Sequence, residues 1–196
     1  KPDFLRKVAE SGGAKVAPEP GSTAHLAQYG LVAPTDVYPL YENATRAAWG
    51  QSLAEAQRAK IGRILDSIGS KESEHILEIG CGWGALAEMA TVDFGAKVTG
   101  VTLSTEQLAF ANARMKWHGK SAQADLRLQD YRDIQDGPYD AICSIEMIEA
   151  VGQSYWPTYF QTISKLLKPG GKACIQSIVI EDGLFDRYVK STDFIQ

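Results

Sequence analysis

The sequence predicts a doubly wound α/β fold, in which helices cover both faces of a parallel β-sheet. From His75 onward, short apolar runs alternate with helix-length segments, and glycine, proline or helix-capping motifs mark most of the boundaries. Strands that alternate with helices pair in parallel through right-handed crossovers. A glycine-rich turn, Gly80-Cys81-Gly82-Trp83-Gly84, follows the first predicted strand. Folds of this class bind ligands at the carboxyl ends of their strands, so a candidate ligand site lies beside this turn.

The predicted elements begin with a helix that starts at the capping box Ser52-Leu53-Ala54-Glu55 and ends near Gly69. Apolar runs bounded by turn residues then predict strands at residues 75–79, 96–101, 126–129, 139–145 and 172–180. Helical spacing of apolar residues and a second capping box predict helices at residues 85–92, 104–117 and 155–167. Residues 1–50 contain many glycines and prolines and show no long period. We therefore divide the chain into an irregular N-terminal segment, 1–50, and a core domain, 51–196.

The composition argues against several classes of function. The chain has 196 residues, of which 24 are acidic and 20 are basic, and its net charge of -4 argues against a broad nucleic-acid interface. No stretch approaches the roughly 20 apolar residues that span a bilayer. Cys81, Cys143 and Cys174 lie in separate apolar runs without metal-ligand spacing. We therefore expect buried thiols, no metal site and a cytoplasmic location.

The glycine turn is compatible with more than one ligand. Its three glycines let the backbone bend tightly and approach a ligand, and the helix that follows offers free amides to a carboxylate or phosphate. The spacing Gly80-x-Gly82-x-x-Ala85 also fits a dinucleotide site. A dinucleotide site requires an acid about 20 residues further on, and Val101-Thr102-Leu103-Ser104 contains none. Glu78 instead suits the cationic amino-acid moiety of S-adenosylmethionine (SAM). The remaining alternative is a plain turn whose glycines serve packing.

Four motifs that occur in order along the chain carry a more specific signal. They are Leu77-Glu78-Ile79-Gly80-Cys81-Gly82-Trp83-Gly84, Val101-Thr102-Leu103-Ser104-Thr105-Glu106-Gln107, Leu128-Gln129-Asp130-Tyr131-Arg132 and Ser144-Ile145-Glu146-Met147-Ile148-Glu149. From about Pro34 to the last residue, the chain resembles the cyclopropane-fatty-acyl-phospholipid synthase family, which includes the mycolic acid cyclopropane synthases. The resemblance implies a Rossmann-like sheet of the class I SAM-dependent methyltransferases. It also implies that the N-terminal segment partly covers the SAM site and that the core lacks its C-terminal end.

The resemblance also implies positions for the cofactor. Gly80 and Gly82 would flank the methionine moiety of SAM, and Ile145 would close the pocket beside the sulfonium. Thr102, Leu103 and Gln107 would surround the ribose. Asp130 and Tyr131 would line the adenine. Tyr38 resembles an N-terminal tyrosine that contacts SAM in this family. The demethylated product of SAM would be S-adenosyl-L-homocysteine.

The reaction that the resemblance implies adds a methylene group across the double bond of an unsaturated fatty acyl chain. The alkene attacks the sulfonium methyl group, and the resulting carbocation must lose a proton before a ring can close. In this family the base is thought to be a bound bicarbonate, held by a glutamate that aligns with Glu149. Glu146 would share one face with Glu149 if this stretch were helical, and both are candidate catalytic residues. Gln176 occupies the position of a bicarbonate-binding histidine found in some members, and it cannot become cationic.

Two other functions remain open at this point. Plant amine N-methyltransferases resemble this family, but they usually have a histidine where Ala150 stands, so a small-molecule N- or C-methyltransferase is the first alternative. A SAM-binding domain that has lost its activity and serves interaction is the second. For the leading interpretation we expect as partner an unsaturated phospholipid acyl chain at the membrane surface. We also expect a peripheral location on the inner membrane face, a homodimer and no transmembrane segment.

Overall fold

The computed structural model describes residues 53–179 and 181–188. The strands are β1 His75–Ile79, β2 Lys97–Thr102, β3 Ala124–Leu128, β4 Tyr139–Ile145 and β5 Leu167–Gln176. The helices are α1 Leu53–Ile68, α2 Ala85–Val92, α3 Thr105–Trp117, α4 Trp156–Leu166 and α5 Asp182–Tyr188. Three short 3₁₀ turns are Tyr131–Asp133, Ile148–Ala150 and Gln153–Tyr155. The N-terminal segment, 1–50, and the closing residues 189–196 lie outside the described residues.

The five strands form one parallel sheet with the order β3-β2-β1-β4-β5. The strand order reverses between β1 and β4, because the chain first adds strands on one side of β1 and then crosses to the other side. Successive side chains of a strand point to opposite faces of a sheet. On β1, Ile76 accordingly packs in one core cluster with Leu65, Leu86 and Met115, whereas Leu77 packs in a second cluster.

The second cluster contains the largest fully buried aromatic side chains, Tyr139 of β4 and Tyr159 of α4, together with Ile163. Helices α1, α2 and α3 supply residues to the first cluster, and α4 supplies residues to the second. Both faces of the sheet are therefore covered, as the prediction of a doubly wound α/β fold requires. This prediction is confirmed.

Strand β5 differs from the sequence prediction at both ends. The predicted break at Lys168-Pro169-Gly170-Gly171 lies inside the strand as a bulge, where the register shifts from Tyr139 opposite Leu167 to Ala141 opposite Lys172. A β-carbon on Gly171 would lie 2.7 Å from the Asp140 carbonyl oxygen, so the backbones approach too closely there for a side chain. The strand ends at Gln176 rather than at Ile180, and two residues further on the Ile178 amide donates to a carboxylate oxygen of Glu149.

Helix α3 begins as predicted. Ser104 is its N-cap residue, and its hydroxyl oxygen accepts the Gln107 amide at 3.2 Å. The Gln107 side chain does not return to the Ser104 amide, as a full capping box requires; its Oε1 accepts the Thr102 hydroxyl instead, at 2.8 Å. Within the described ranges, no helix combines the length and the apolar character needed to cross a membrane.

Candidate functional site

The candidate site lies where the strand order reverses, at the carboxyl ends of β1 and β4, the position at which open α/β sheets bind ligands. The two strand ends are joined by the buried Ser144 hydroxyl, which donates to the Ile79 carbonyl oxygen at 3.1 Å. The glycine turn that follows β1 is tied to β2, because the Gly80 and Cys81 amides both donate to the Val101 carbonyl oxygen at 3.0 and 2.9 Å. The end of β1 is therefore held by β4 through Ser144, and the start of the glycine turn is held by β2 through Val101.

The three glycines of the turn meet different surroundings, although all have positive φ angles. A β-carbon on Gly80 would lie 3.3 Å from Cγ of Met147, and one on Gly84 would lie 2.8 Å from the Ala111 β-carbon. A β-carbon on Gly82 would have no atom within 4 Å. Gly84 thus serves helix packing, whereas Gly82 leaves open space in which a ligand can approach the backbone.

Glu78 is the charged side chain nearest to this turn along β1, and it is only 5% exposed. Its Oε2 atom is buried and has no hydrogen-bond partner in the described part of the chain. Burial raises the pKa of Glu78 from 4.5 to about 8. A buried carboxyl group without a partner is unfavourable unless a donor or a cation satisfies it. Glu78 therefore suits a ligand that carries an ammonium group.

The residues predicted to surround the ribose lie together at the end of β2 and the start of α3. Thr102 is buried, and its hydroxyl donates to Gln107 and accepts the Ser104 amide at 3.2 Å. Leu103, between Thr102 and Ser104, is 73% exposed. This network fixes the Gln107 side chain next to the end of β2, while the Leu103 side chain remains available for an apolar contact.

The residues predicted to line the adenine have partners within the protein. The Asp130 carboxylate accepts the Arg132 amide at 2.9 Å and pairs with its guanidinium at 2.6 Å, which lowers the pKa of Asp130. Tyr131 is 7% exposed and meets the Tyr159 ring edge-on at 5.6 Å. Tyr131 is thus part of the second core cluster, and its stacking on an adenine stays a prediction. Arg132 is not among the predicted site residues, although its spacing of two residues from Asp130 is typical of a local turn contact.

Glu146 and Gln176 face each other across the ends of β4 and β5. The Glu146 amide donates to the Gln176 carbonyl oxygen at 2.9 Å, and Glu146 Oε1 accepts the Gln176 side-chain amide at 3.1 Å. The same oxygen lies 3.2 Å from Nζ of Lys60. Lys60 is on α1, 86 residues before Glu146, and no local sequence signal connects it with the site. Ile145 ends β4 as a partly buried residue packed against the first core cluster.

Glu149 has a different partner from Glu146. The stretch between them is not an α-helix, since Glu146 has a φ of 52° and only Ile148–Ala150 form a 3₁₀ turn. One oxygen of Glu149 accepts the Ile178 amide, and its Oε2 atom is buried without a hydrogen-bond partner in the described ranges. Gln176 Oε1 is buried and unpartnered in the same way. Two acceptors therefore remain unsatisfied at this edge of the sheet. Tyr38 lies outside the described residues.

Comparison with known proteins agrees with this geometry. A family model described as mycolic acid cyclopropane synthetase matches residues 36–196. Tuberculostearic acid methyltransferase UfaA1 of Mycobacterium tuberculosis is 47% identical over 133 residues, which are 68% of this chain and 30% of the relative. Cyclopropane-fatty-acyl-phospholipid synthase of Escherichia coli is 37% identical over 127 residues, 65% of this chain and 32% of the relative.

The chain thus spans about a third of the length of these curated relatives. Among solved structures, cyclopropane synthase MmaA2 from Mycobacterium tuberculosis superimposes with a TM-score of 0.64 at 29% identity. This superposition covers 72% of the chain and 50% of that structure. The family model covers most of the sequence, including the glycine turn and both strand ends described above. The chain therefore belongs to the mycolic acid cyclopropane synthetase family.

Proposed function

We propose that the protein transfers a methyl or methylene group from SAM to the double bond of an unsaturated fatty acyl chain of a phospholipid. Membership of the family supports this proposal, and so does the chain's similarity to a tuberculostearic acid methyltransferase and to a cyclopropane-fatty-acyl-phospholipid synthase. The observation that carries the proposal is the buried Oε2 of Glu149 at the carboxyl edge of the sheet, which has no hydrogen-bond partner among residues 53–179 and 181–188. Because the chain spans only part of its relatives, the activity of the whole protein is part of this proposal.

The residues at the glycine turn suit SAM. Glu78 would accept a hydrogen bond from the ammonium group of the methionine moiety. The open bend at Gly82 would let the carboxylate of the methionine moiety approach the backbone amides. Further contacts are proposed for Tyr38, Gly80, Thr102, Leu103, Gln107, Asp130, Tyr131 and Ile145. SAM, when bound, supplies an electrophilic methyl group on a cationic sulfur.

The chemistry proposed for the part of the site around Glu149 is removal of a proton from the substrate. The π electrons of the alkene form the new carbon–carbon bond while the carbon–sulfur bond breaks and sulfur keeps its electron pair. The substrate then carries a positive charge and must lose a proton. If the proton leaves the added carbon, the electron pair of that C–H bond closes a three-membered ring. An alkene is a weak nucleophile, so positioning and exclusion of water carry much of the catalysis.

Glu149 is proposed to hold the base for this step, a bicarbonate ion. Bicarbonate carries one hydroxyl group, and this hydroxyl would be the donor that Glu149 Oε2 lacks among the residues that the structure describes. A base so held would lie close to the Ile178 amide, to which the other Glu149 oxygen is tied. Glu149 fixed in this way would keep the small base in one position relative to the proton.

The exposed residues next to Glu149 support a lipid substrate. Ile178 and Val179 are 57% and 75% exposed, and they lie two and three residues beyond the end of β5. Apolar side chains at this edge suit an acyl chain at the surface of a bilayer. We accordingly propose that the protein contacts a membrane surface. Its location on the inner membrane face, its cytoplasmic compartment and a homodimer are proposals that do not follow from these two residues. Sedimentation with unsaturated phospholipid vesicles tests the membrane contact. A smaller fraction of an Ile178→Ser variant should sediment with the vesicles.

Transfer of label tests the proposed reaction. The full chain is incubated with SAM labelled at the methyl group and with vesicles of monounsaturated phospholipid, and fatty acid methyl esters are analysed. We expect label in the acyl chains, none with saturated vesicles, and none from Glu149→Gln, while the SAM affinity of that variant stays within about twofold. Label found only in small amines would support the small-molecule methyltransferase instead. SAM binding without any transfer would support the inactive domain.

A further inference from the structure

Lys60 lies on α1, outside every motif that connects the sequence with the site. Its side chain is 14% exposed, and its ammonium group lies 3.2 Å from Glu146 Oε1. The same oxygen accepts the side-chain amide of Gln176 at 3.1 Å. Lys60, Glu146 and Gln176 thus form a continuous set of contacts that begins on α1 and ends at the carboxyl edge of β5.

Glu146 is held in a backbone conformation that glutamate rarely adopts. Its φ of 52° lies in the left-handed region, which costs a non-glycine residue about 1 kcal/mol or more. Such a conformation persists only where the surroundings impose it. Here the Glu146 amide donates to the Gln176 carbonyl oxygen, so Glu146 is bound to Gln176 through both its backbone and its side chain. The geometry of this pair is therefore strongly constrained.

The orientation of the Gln176 amide follows from these contacts. A carboxylate accepts only, so the NH₂ group must point to Glu146; the reversed amide would place two oxygens against each other. Gln176 Oε1 then points away from Glu146, and it is buried without a partner in the described part of the chain. Glu149 Oε2 is unpartnered as well, and Glu149 is tied to Ile178, two residues beyond Gln176. The two unsatisfied acceptors thus lie on neighbouring segments, the turn after β4 and the end of β5, which the Ile178–Glu149 hydrogen bond joins.

We propose that Lys60 is a positioning residue: through Glu146 it holds Gln176 so that the amide carbonyl oxygen, and not the NH₂ group, points to the substrate. This inference rests on the proposed function, because it concerns the positive charge that develops on the alkene carbon. The carbonyl oxygen is the negative end of the amide dipole, and a fixed dipole stabilises charge without reorganising during the reaction. A reversed amide would present its positive end to the carbocation and slow its formation.

Kinetics of three variants test this role in the full chain, with monounsaturated phospholipid vesicles as substrate. Lys60→Met should lower kcat about 10- to 100-fold, as misplacement of a site group does, while KM for SAM stays within about twofold. Lys60→Arg keeps the charge and should restore most of the rate. Lys168→Met removes a different ion pair, to Asp140 at 2.6 Å, from the opposite end of the sheet and serves as the matched control. It should leave kcat unchanged.

A second readout does not depend on activity. In ¹⁵N–¹H NMR spectra, assigned with Gln176→Asn, the side-chain NH₂ of Gln176 should show one downfield, slowly exchanging proton. This signature should be lost in Lys60→Met, return in Lys60→Arg and persist in Lys168→Met. If Lys60→Met unfolds, Glu146→Asn tests the same contact, because it removes the carboxylate that orients the Gln176 amide. This variant should fold, since asparagine tolerates a positive φ.

The two readouts separate failure of this inference from failure of the proposed function. A protein that transfers no label to lipid but shows the Lys60-dependent amide signature would overturn the reaction and keep the positioning role. A protein that transfers label, with kcat or the Gln176 signature unaffected in both Lys60→Met and Glu146→Asn, would overturn the positioning role. An equal loss of kcat in Lys60→Arg and Lys60→Met would also overturn it, since the charge would then be irrelevant.

Discussion

Gly84 and Ala111 lie in such close contact that a β-carbon on the glycine would be 2.8 Å from the Ala111 β-carbon and 3.2 Å from its α-carbon. The contact joins the glycine turn to α3, the helix whose first turn carries Gln107. Gly84 is also the N-cap residue of α2, with a φ of 77°. The third glycine of the turn therefore fixes the start of α2 against α3.

Gly84→Ala should destabilise the protein by about 2–4 kcal/mol, because overpacking adds to the cost of a positive φ. Denaturant unfolding measures this change. Gly82→Ala is the matched control: it has a φ of 49° but no atom within 4 Å of the added carbon. It should cost only about 1 kcal/mol of stability and instead weaken SAM binding. Equal losses of stability in the two variants would contradict the division of roles between these glycines.

Thr102→Val should weaken SAM binding about tenfold, the cost of about one hydrogen bond. The Thr102 hydroxyl donates to Gln107 Oε1 and accepts the Ser104 amide, so its removal releases the Gln107 side chain and loosens the start of α3. Titration calorimetry measures the affinity. Thr102→Ser keeps the hydroxyl group and should bind SAM within about twofold of the natural protein. Equal affinities of the valine and serine variants would show that the hydroxyl does not order this part of the site.

The sequence predicted the parts of the fold that depend on local pattern. The bounds of β1 and β4 are confirmed residue by residue, because continuous apolar runs end there at turn residues. The predicted start of β5 was wrong, since Lys168-Pro169-Gly170-Gly171 has the composition of a turn but forms a bulge within the strand, against β4. Only the pairing with a neighbouring strand distinguishes these two outcomes.

The sequence predicts the positions of those candidate site residues that lie at or near the carboxyl ends of strands. The turn at Gly80, the pair of Thr102 and Gln107, and the carboxylate of Glu149 all lie at carboxyl ends of strands or directly after them. Lys60 could not be found in this way, because its contact with Glu146 bridges 86 residues and depends on how α1 packs on the sheet. The positive φ of Glu146 was equally hidden, since glutamate gives no sequence signal for that conformation.

His75 should make the stability of the protein sensitive to acid. Burial lowers the pKa of His75 below its ordinary value of 6.5, although Asp136 and Asp140 act in the opposite direction. The unfolded chain then binds more protons than the native protein below pH 6.5, so stability falls as the pH decreases through this value. His75→Gln can still bond to Thr99, the 2.9 Å partner of His75 Nε2, but it does not titrate. Unfolding at pH 7.5 and pH 5.5 should show a smaller loss for this variant; identical losses would contradict the prediction.

Glu78 should make stability depend on pH with the opposite sign. Its pKa is about 8 in the native protein and near 4.5 when the side chain is exposed. Between these values the native state binds more protons than the unfolded state, so the contribution of Glu78 to stability is lost as the pH rises from about 4.5 to about 8. Glu78→Gln imitates the protonated form and should exceed the natural protein in stability at pH 8.5 but not at pH 5. Denaturant unfolding at both pH values checks this.

The same carboxyl group should release a proton when SAM binds. Near pH 7 Glu78 is protonated in the free protein, and an ammonium group placed next to it favours the ionised form. Calorimetry in two buffers with different ionisation enthalpies should therefore report roughly one proton released per SAM bound, and none for Glu78→Gln. Methylthioadenosine, which lacks the amino-acid moiety, is the ligand control and should bind without proton release. Equal proton release by SAM in the natural protein and in Glu78→Gln would mean that the ammonium group does not meet Glu78, and the assignment of this buried carboxylate to SAM would fail.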